Sequence, residues 1–386
     1  MNFISATRQK LNKLKGSLRY SAAEGKAPTV HSQSLLAALA WLCRCQEVTG
    51  CGGFSRAYSL INGWALPYPE TTGYIICSFS KLADRFPELR LMERALLAGR
   101  WLAEIQFGSG AICAKQYYPG NTEPSVFNTG MVLHGWSSLI GNDIPERWLP
   151  PSRKAADWIL EQQEPDGSWI RNSYCGVPHT YYTMVDWALL RFWKATGEKK
   201  YRIAAERHLG WVLAQQRANG WFEHCEFSPG DPVTTHTLSY TTQGLVESGA
   251  LLGQIKYVEA AQAATEPLFE AFRERQTLPA VFSAEWKPLA TWECLTGSAQ
   301  TALVWKGLGA ILGDKSWIRA GELLDRRLMN VQKISCIDPG VDGGILGSWP
   351  IGGDYDPYAF PNHAAKFFVD SLASDLGGNE HPIRCA

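Results

Sequence analysis

The sequence predicts an all-α fold, an (α/α)6 toroid of twelve helices, and three observations carry that expectation. Gln46, Gln106, Gln163 and Gln216 are each followed four residues later by a glycine (Gly50, Gly110, Gly167, Gly220), and weaker copies put Ala280 after Gln276 and Cys336 after Gln332. The steps between these glutamines are 60, 57, 53, 60 and 56 residues, and in the first four units a tryptophan (Trp41, Trp101, Trp158, Trp211) stands five residues earlier. Each unit also divides into a charged helical stretch and a charge-poor one. A period of this length means one supersecondary unit repeated around a shared core.

In chain order, residues 1–30 form an N-terminal basic extension that ends at the Gly25-Lys-Ala-Pro28 break. The first helix of each pair is expected near 32–46, 88–106, 146–163, 198–216, 254–276 and 315–333. These helices carry charge, as Glu88, Arg90, Glu93, Arg94 and Arg100 do in the second unit, which suits an outer helix facing water. The second helices are expected near 74–86, 131–140, 183–196, 239–252, 298–312 and 363–373. They are poor in charge and rich in small residues, the pattern of a helix buried all round. Six outer and six inner helices then close into one domain over 31–374, with a Gly-rich polar tail at 375–386. The loops that lead into the inner helices gather at one end of the ring.

Composition narrows the function classes. Lys plus Arg equals Asp plus Glu at 37 each, so no polyanion-binding surface is indicated and nucleic acid is excluded as a partner. The one basic stretch, Arg8 to Arg19, sets Lys10, Lys13 and Lys15 among Leu11, Leu14 and Leu18. It could touch an anionic membrane surface, although a solvated leading helix is the simpler reading. No apolar run is long enough to span a bilayer, and the first 30 residues lack the apolar stretch of a signal peptide. The ten cysteines are scattered and read as reduced thiols, so a cytoplasmic location is expected.

The chemistry is expected where the inner helices begin. Matched by period and polarity, their opening residues are Glu70, Asn128, His179, His236, Glu293 and Asn362. Helix capping accounts for the neighbouring threonines but poorly for the two glutamates and two histidines, because buried polar groups need partners. His179, His236 and Glu293 recur at steps of 57, so three ionisable groups are expected to converge on one wall of a central cavity. With Tyr182 and Tyr240 they form the candidate catalytic set, since imidazole titrates near neutrality and a positioned phenol can return a proton. Glu70, Asn128, Tyr68, Trp292, Asp354, Tyr355, Tyr358, Asn362 and His363 are the candidate substrate contacts, ring faces for sugar C–H surfaces and polar groups for hydroxyls. Glu70 and Glu293 with Asp354 would instead suit hydrolysis, which needs an acid and a base carboxylate. Glu223-His224-Cys225-Glu226 has no second pair at ligand spacing, so no metal is expected. No Gly-x-Gly-x-x-Gly, P-loop or Gly-x-Ser-x-Gly occurs, and no cofactor is expected.

Gln163-x-x-x-Gly167-x-Trp169 resembles the QW repeat of triterpene cyclases, and the helix-pair ring resembles theirs and that of protein prenyltransferase β subunits. The Asp-x-Asp-Asp signature of the squalene–hopene type is not matched, because Asp354-Tyr-Asp356 runs into Pro357. The ring also resembles the six-hairpin sugar enzymes, among them glycoside hydrolases, unsaturated-uronate hydrolases, sugar epimerases and the toroid domains of uronate lyases. It is similar, too, to toroid proteins encoded among bacterial exopolysaccharide genes. These resemblances imply a carbohydrate-active enzyme that processes a polysaccharide or its precursor by lyase, epimerase or hydrolase chemistry. An isoprenoid enzyme of the cyclase kind and a non-catalytic component of polysaccharide synthesis are the alternatives. Cavity polarity separates sugar from isoprenoid.

Overall fold

The computed structural model describes residues 3–376. Among them are thirteen α-helices, of which twelve form the ring. The outer helices are α2 (His31–Glu47), α4 (Leu91–Glu104), α6 (Pro145–Glu161), α8 (Lys199–Ala214), α10 (Ile255–Arg275) and α12 (Lys315–Val331). The inner helices are α3 (Pro69–Leu82), α5 (Val126–Ile140), α7 (Thr183–Thr196), α9 (Thr235–Leu252), α11 (Leu295–Leu312) and α13 (Asn362–Ser374). Each inner helix packs on the next, and α13 returns to α3, so the ring is closed. The remaining helix, α1 (Phe3–Ala22), lies in the N-terminal extension.

Burial follows the two sequence patterns. In α12 the buried residues are Trp317, Ala320, Gly321, Leu324, Leu328 and Val331, with Asp325, a single stripe at helical spacing. In α9 fourteen of eighteen residues are buried, from Thr235 to Gly249, so this helix is enclosed on every side. Four inner helices start several residues earlier than the sequence reading put them, because Glu70-Thr-Thr, Asn128-Thr-Gly, His236-Thr-Leu and Thr296-Gly are already helical; Pro69 opens the first, and the other three are capped. Ser125, Thr234 and Cys294 accept a hydrogen bond from the backbone three residues on and fix those starts. At the other end, Gly197, Gly253 and Gly313 take left-handed φ of 74°, 64° and 70° and turn the chain tightly into the next outer helix. One end of the ring is therefore short turns. The other is long loops held by two- and three-residue strand pairs.

The repeated glutamine is a staple between neighbouring units. Gln106 Nε2 donates to the carbonyls of Gly110 (2.9 Å) and Pro151 (3.0 Å), Gln163 to Gly167 (3.0 Å) and Ala204 (2.9 Å), and Gln216 to Gly220 (3.1 Å) and Ala260 (2.8 Å). In each case the first acceptor is the glutamine's own turn and the second is the opening of the next outer helix. Gln46 does the same with Gly52 (2.8 Å) and Arg94 (2.9 Å), so Gly52 and not Gly50 is the turn residue of the first unit. Gln332 uses Gly343 (2.8 Å) in place of Cys336 and reaches Ser34 (3.3 Å) on α2, which locks the last unit to the first. Gln276 is the exception, bonding only Arg273 of its own helix. A shallow groove lined by Phe269, Phe272, Gln276, Ala320 and Leu323 marks that unstapled joint.

Glycines set the width of the inner ring. A Cβ on Gly73 would stand 2.3 Å from the Met131 carbonyl oxygen, one on Gly135 2.3 Å from that of Gly73, and one on Gly297 2.4 Å from Thr235 Oγ1. These inner helices touch backbone to backbone.

The extension does not hang free. Arg19 bonds Asp338 (3.2 Å) and Tyr58 (2.5 Å), Lys15 reaches the Ile61 carbonyl (3.1 Å), and Gly16 lies against the Tyr358 ring. All of these partners belong to the long-loop end, where α1 is seated. Of the tail expected from 375, Asp375 is held by Lys306 (2.7 Å) and His31 (3.3 Å), and residues 377–386 lie outside the described residues.

Candidate active site

A backbone bond marks the true register of the inner helices. The N–H groups of Val126, Thr180, Thr235, Leu295 and Asn362 each donate to a carbonyl in the adjoining loop, those of Asn172, His224, Ala280, Gly347 and Arg56, at 2.8–2.9 Å. In the first unit Pro69 takes this place and has no N–H to give. The residue after it in each unit is therefore the equivalent one: Glu70, Phe127, Tyr181, His236, Thr296 and His363. One turn further in stand Tyr74, Tyr240, Gln300 and Phe367.

These side chains meet across the axis. Tyr74 on α3 and Tyr240 on α9 belong to the first and fourth of six inner helices, on opposite sides of the ring, and their hydroxyls lie 3.4 Å apart. Phe127 and Phe367 pack on Tyr240 at ring separations of 5.4 and 5.8 Å. Tyr74, Tyr240 and Phe367 thus form a floor that divides the bore. Above it the walls are Glu70, Phe127, Tyr181, His236 and His363, and the rim carries Tyr68 and Tyr355. An Arg56–Asp356 pair closes one side of the rim at 2.8 and 2.9 Å.

Glu70 sits deep and yet keeps accessible surface, which places it on the wall of a recess rather than inside packed core. Burial raises its carboxyl above the ordinary glutamate range, against hydrogen bonds from Tyr68, Tyr240 and Tyr74 and the charge of Arg56. The bonds from Tyr240 (3.4 Å) and Tyr74 (3.5 Å) are long, leaving room for another partner. Across the axis, His236 Nδ1 meets Gln300 Oε1 at 3.0 Å, and Gln300 Nε2 in turn donates to Gln243 Oε1 at 2.7 Å. With the Gln300 amide so assigned, Nδ1 carries the proton and Nε2 keeps its lone pair. Burial, followed by the charge of His363, holds this imidazole well below the ordinary histidine range, so it stays neutral. His363 stacks on it at 5.6 Å and shares its Nε2 with the Tyr355 hydroxyl at 2.9 Å. His363 is also lowered, by burial and by Arg56.

Several expected site residues lie elsewhere. Glu293 precedes its helix and is bound by Arg327 of outer helix α12 at 2.6 Å, so it does not converge with His236. His179 has a backbone carbonyl beside each ring nitrogen, Tyr174 (2.8 Å) and Glu226 (3.1 Å), donates to one of them at a time while neutral, and is lowered by burial to about 4. It ties two loops together. Tyr182 is sealed, its hydroxyl accepting from Ser173 Oγ (3.1 Å) and the Tyr174 N–H (2.9 Å). Asn128 donates to the Cys113 carbonyl (2.7 Å) and Asn362 to Ser55 (2.9 Å), both bracing loops. Trp292 packs under Gly353, Tyr358 seats α1, and Asp354 is exposed. Against the structural register, Asn128 is one residue late, Asn362 one early, His179 two early and Glu293 three early. One residue turns a helix by about 100°, enough to move a side chain off the wall. Phe127, Tyr181, Tyr74 and the Arg56–Asp356 pair were missed. The i+4 partners Glu70–Tyr74 and His236–Tyr240 were a readable signal for part of this set.

Comparison with solved structures agrees with this architecture. A sugar epimerase from a ruminal bacterium superposes with a TM-score of 0.71 at 12% identity, covering 90% of this chain and 99% of that one. The fold is that of the six-hairpin (α/α)6 toroid enzymes. Unsaturated glucuronyl hydrolase from a Bacillus species gives 0.70 at 16% identity over 89% and 96% of the two chains. Cellobiose 2-epimerase from Bacillus thermoamylovorans gives 0.69 at 10% identity over 89% and 98%. No protein-family model matches the chain, and no curated protein matches it in sequence.

Proposed function

We propose that the protein is a carbohydrate-active enzyme that inverts a sugar carbon next to a carbonyl. The observation that carries this reading is the placement of His236 on α9 and Glu70 on α3 from opposite sides of the ring against one residue, Tyr240, whose ring lies 4.2 Å from His236 and whose hydroxyl lies 3.4 Å from Glu70, with the imidazole held neutral and the carboxyl held by burial towards its acid form. His236 Nε2 removes the proton from the carbon beside the carbonyl, and the electron pair passes to the carbonyl oxygen to give an enediolate. Glu70 then delivers a proton to the same carbon from the other face, the enediolate returns to a carbonyl, and the proton on His236 is passed back to Glu70 through solvent. No atom is gained or lost. The tyrosine hydroxyls and Tyr355 are placed to take sugar hydroxyls, and the aromatic walls to take C–H faces. A recess with this many polar groups suits a sugar better than an isoprenoid.

Hydrolysis by a carboxylate pair is less well supported. Of the carboxylates that could partner Glu70, Asp356 is taken up by Arg56, Glu293 by Arg327, and Asp354 is exposed. The neighbours in fold include both epimerases and a hydrolase, so the chemistry of the recess, not the fold, supports the choice. The test is incubation with reducing disaccharides and uronate oligosaccharides in heavy water, followed by proton NMR. Deuterium entering at the carbon beside the carbonyl, together with a new epimer, is the expected result. New reducing ends without deuterium would overturn the reading in favour of hydrolysis, and an unsaturated product absorbing in the ultraviolet would turn it into a lyase.

A further inference from the structure

Helix α1 carries features that neither ring closure nor the recess uses. Its face towards the body is Asn12, Gly16 and Tyr20, with Ala23 just beyond the helix end, and Gly16 and Ala23 are buried. On the opposite face Leu11, Leu14 and Leu18 are 61, 57 and 60% exposed. At 100° per residue these three leucines fall within one narrow stripe, directed away from the protein. Arg8 and Lys15 flank the stripe on one side and Lys10 on the other, with Lys13 further round, all four exposed. The helix contains no acidic residue.

Charge is divided in the same way across the molecule. Arg8, Lys10, Lys13, Lys15 and Arg19 are the five charges of α1. Taking them from the 37 Lys and Arg leaves 32 against 37 Asp and Glu, so the body carries a formal −5. A basic, leucine-striped helix on an acidic body presents one attractive face to an anionic surface and repels it elsewhere.

We infer that α1 docks this protein on an anionic lipid bilayer, with Leu11, Leu14 and Leu18 entering the headgroup boundary and Arg8 and Lys10 meeting lipid phosphates and carboxylates. The docking is peripheral, since no helix among the described residues is long and apolar enough to cross a membrane. Because Arg19, Lys15 and Gly16 anchor α1 to the long-loop end, the docked molecule holds that end, where the recess opens, beside the membrane. A second copy would bring an acidic body to the helix, but the single stripe offers too little surface for a stable dimer.

The experiment is co-sedimentation of the full chain with vesicles of phosphatidylcholine alone and with added phosphatidylserine, at low and high salt. Binding is expected only with phosphatidylserine, weakening as salt rises. Arg8→Ala with Lys10→Ala should lower the partition constant about 30-fold, at about 5-fold for each basic residue lost near the surface. Leu11→Glu with Leu14→Glu should abolish binding. The substituted side chains are exposed, so melting temperature should stay unchanged in both variants. No binding to anionic vesicles, or binding that both variants retain, overturns the inference. So would a dimer in sedimentation velocity that Leu11→Glu with Leu14→Glu dissociates while vesicles are ignored, because the stripe would then join two copies.

Discussion

Replacing Gln163 with alanine tests the view that the repeat is a structural staple. The half-buried Nε2 donates to Gly167 (3.0 Å) and Ala204 (2.9 Å), so the substitution removes two bonds and strands two carbonyls. Each such bond contributes about 0.5–1.5 kcal/mol net, which puts the loss at about 1–3 kcal/mol. Unfolding entropy of about 2 cal/mol/K per residue amounts to about 0.8 kcal/mol/K for a chain of this length, so the midpoint should fall by about 1–4 °C. Gln276→Ala supplies the control, because its Nε2 reaches only the exposed Arg273 carbonyl at 3.1 Å. That change should stay within about 0.5 kcal/mol. Urea and thermal unfolding followed by far-ultraviolet circular dichroism give both numbers. Equal losses in the two variants, or no loss in Gln163→Ala, would refute the reasoning.

Three further outcomes are expected. His236→Ala should lower turnover about 100-fold or more, the usual share of one acid–base group, and a kinetic assay on the substrate identified by deuterium uptake checks it. Glu293→Gln should cost about 1–3 kcal/mol by breaking the half-buried pair with Arg327, while kcat stays unchanged; a large fall in kcat at constant stability would return Glu293 to the active site. Below the floor, burial raises Glu247 to about 7 despite Lys81, Arg191 and Lys366 nearby. Its folded pKa is above its unfolded one, so the stability it leaves the protein declines as pH rises from about 4.5 to 7. Glu247→Gln should therefore stabilise by about 1–3 kcal/mol at pH 8 and by almost nothing at pH 4, measured by urea midpoints at the two pH values.

The period made the ring legible, and the glutamine was the right residue to follow because its amide bridges two units at once. Its acceptors were less legible. They are backbone carbonyls, which any residue supplies, so the first and sixth units could use Gly52 and Gly343 where four-residue spacing pointed to Gly50 and Cys336. Glycine is required there for a different reason: Gly343 has φ of 88°, and a Cβ on it would stand 2.2 Å from the Ala37 carbonyl oxygen. The recess was only partly legible. Period and polarity picked Asn128, His179 and Glu293, each of which has a partner in the fold that sequence does not display. Phe127 and Tyr181 were passed over because an apolar or aromatic residue at the start of a buried helix looks the same whether it faces a cavity or a neighbouring helix. Arg56 and Asp356 are 300 residues apart, and only the closed ring brings them together.

Ring closure also sets when the protein becomes functional during its synthesis. Glu70 is contributed by the first inner helix, His236 by the fourth and His363 by the last, and Gln332 reaches back to Ser34 across 298 residues. Joining such distant segments carries a loop-closure cost that no local helix formation reduces. A chain still emerging from the ribosome can build helix pairs one after another, but the recess does not exist until α13 arrives and docks on α2 and α3. The same holds after synthesis: a single cut in one long loop that lets the ring spring open would leave the helices largely intact and the recess dismantled. Helical content and activity would then part company, with activity the sensitive gauge of whether the circle is complete.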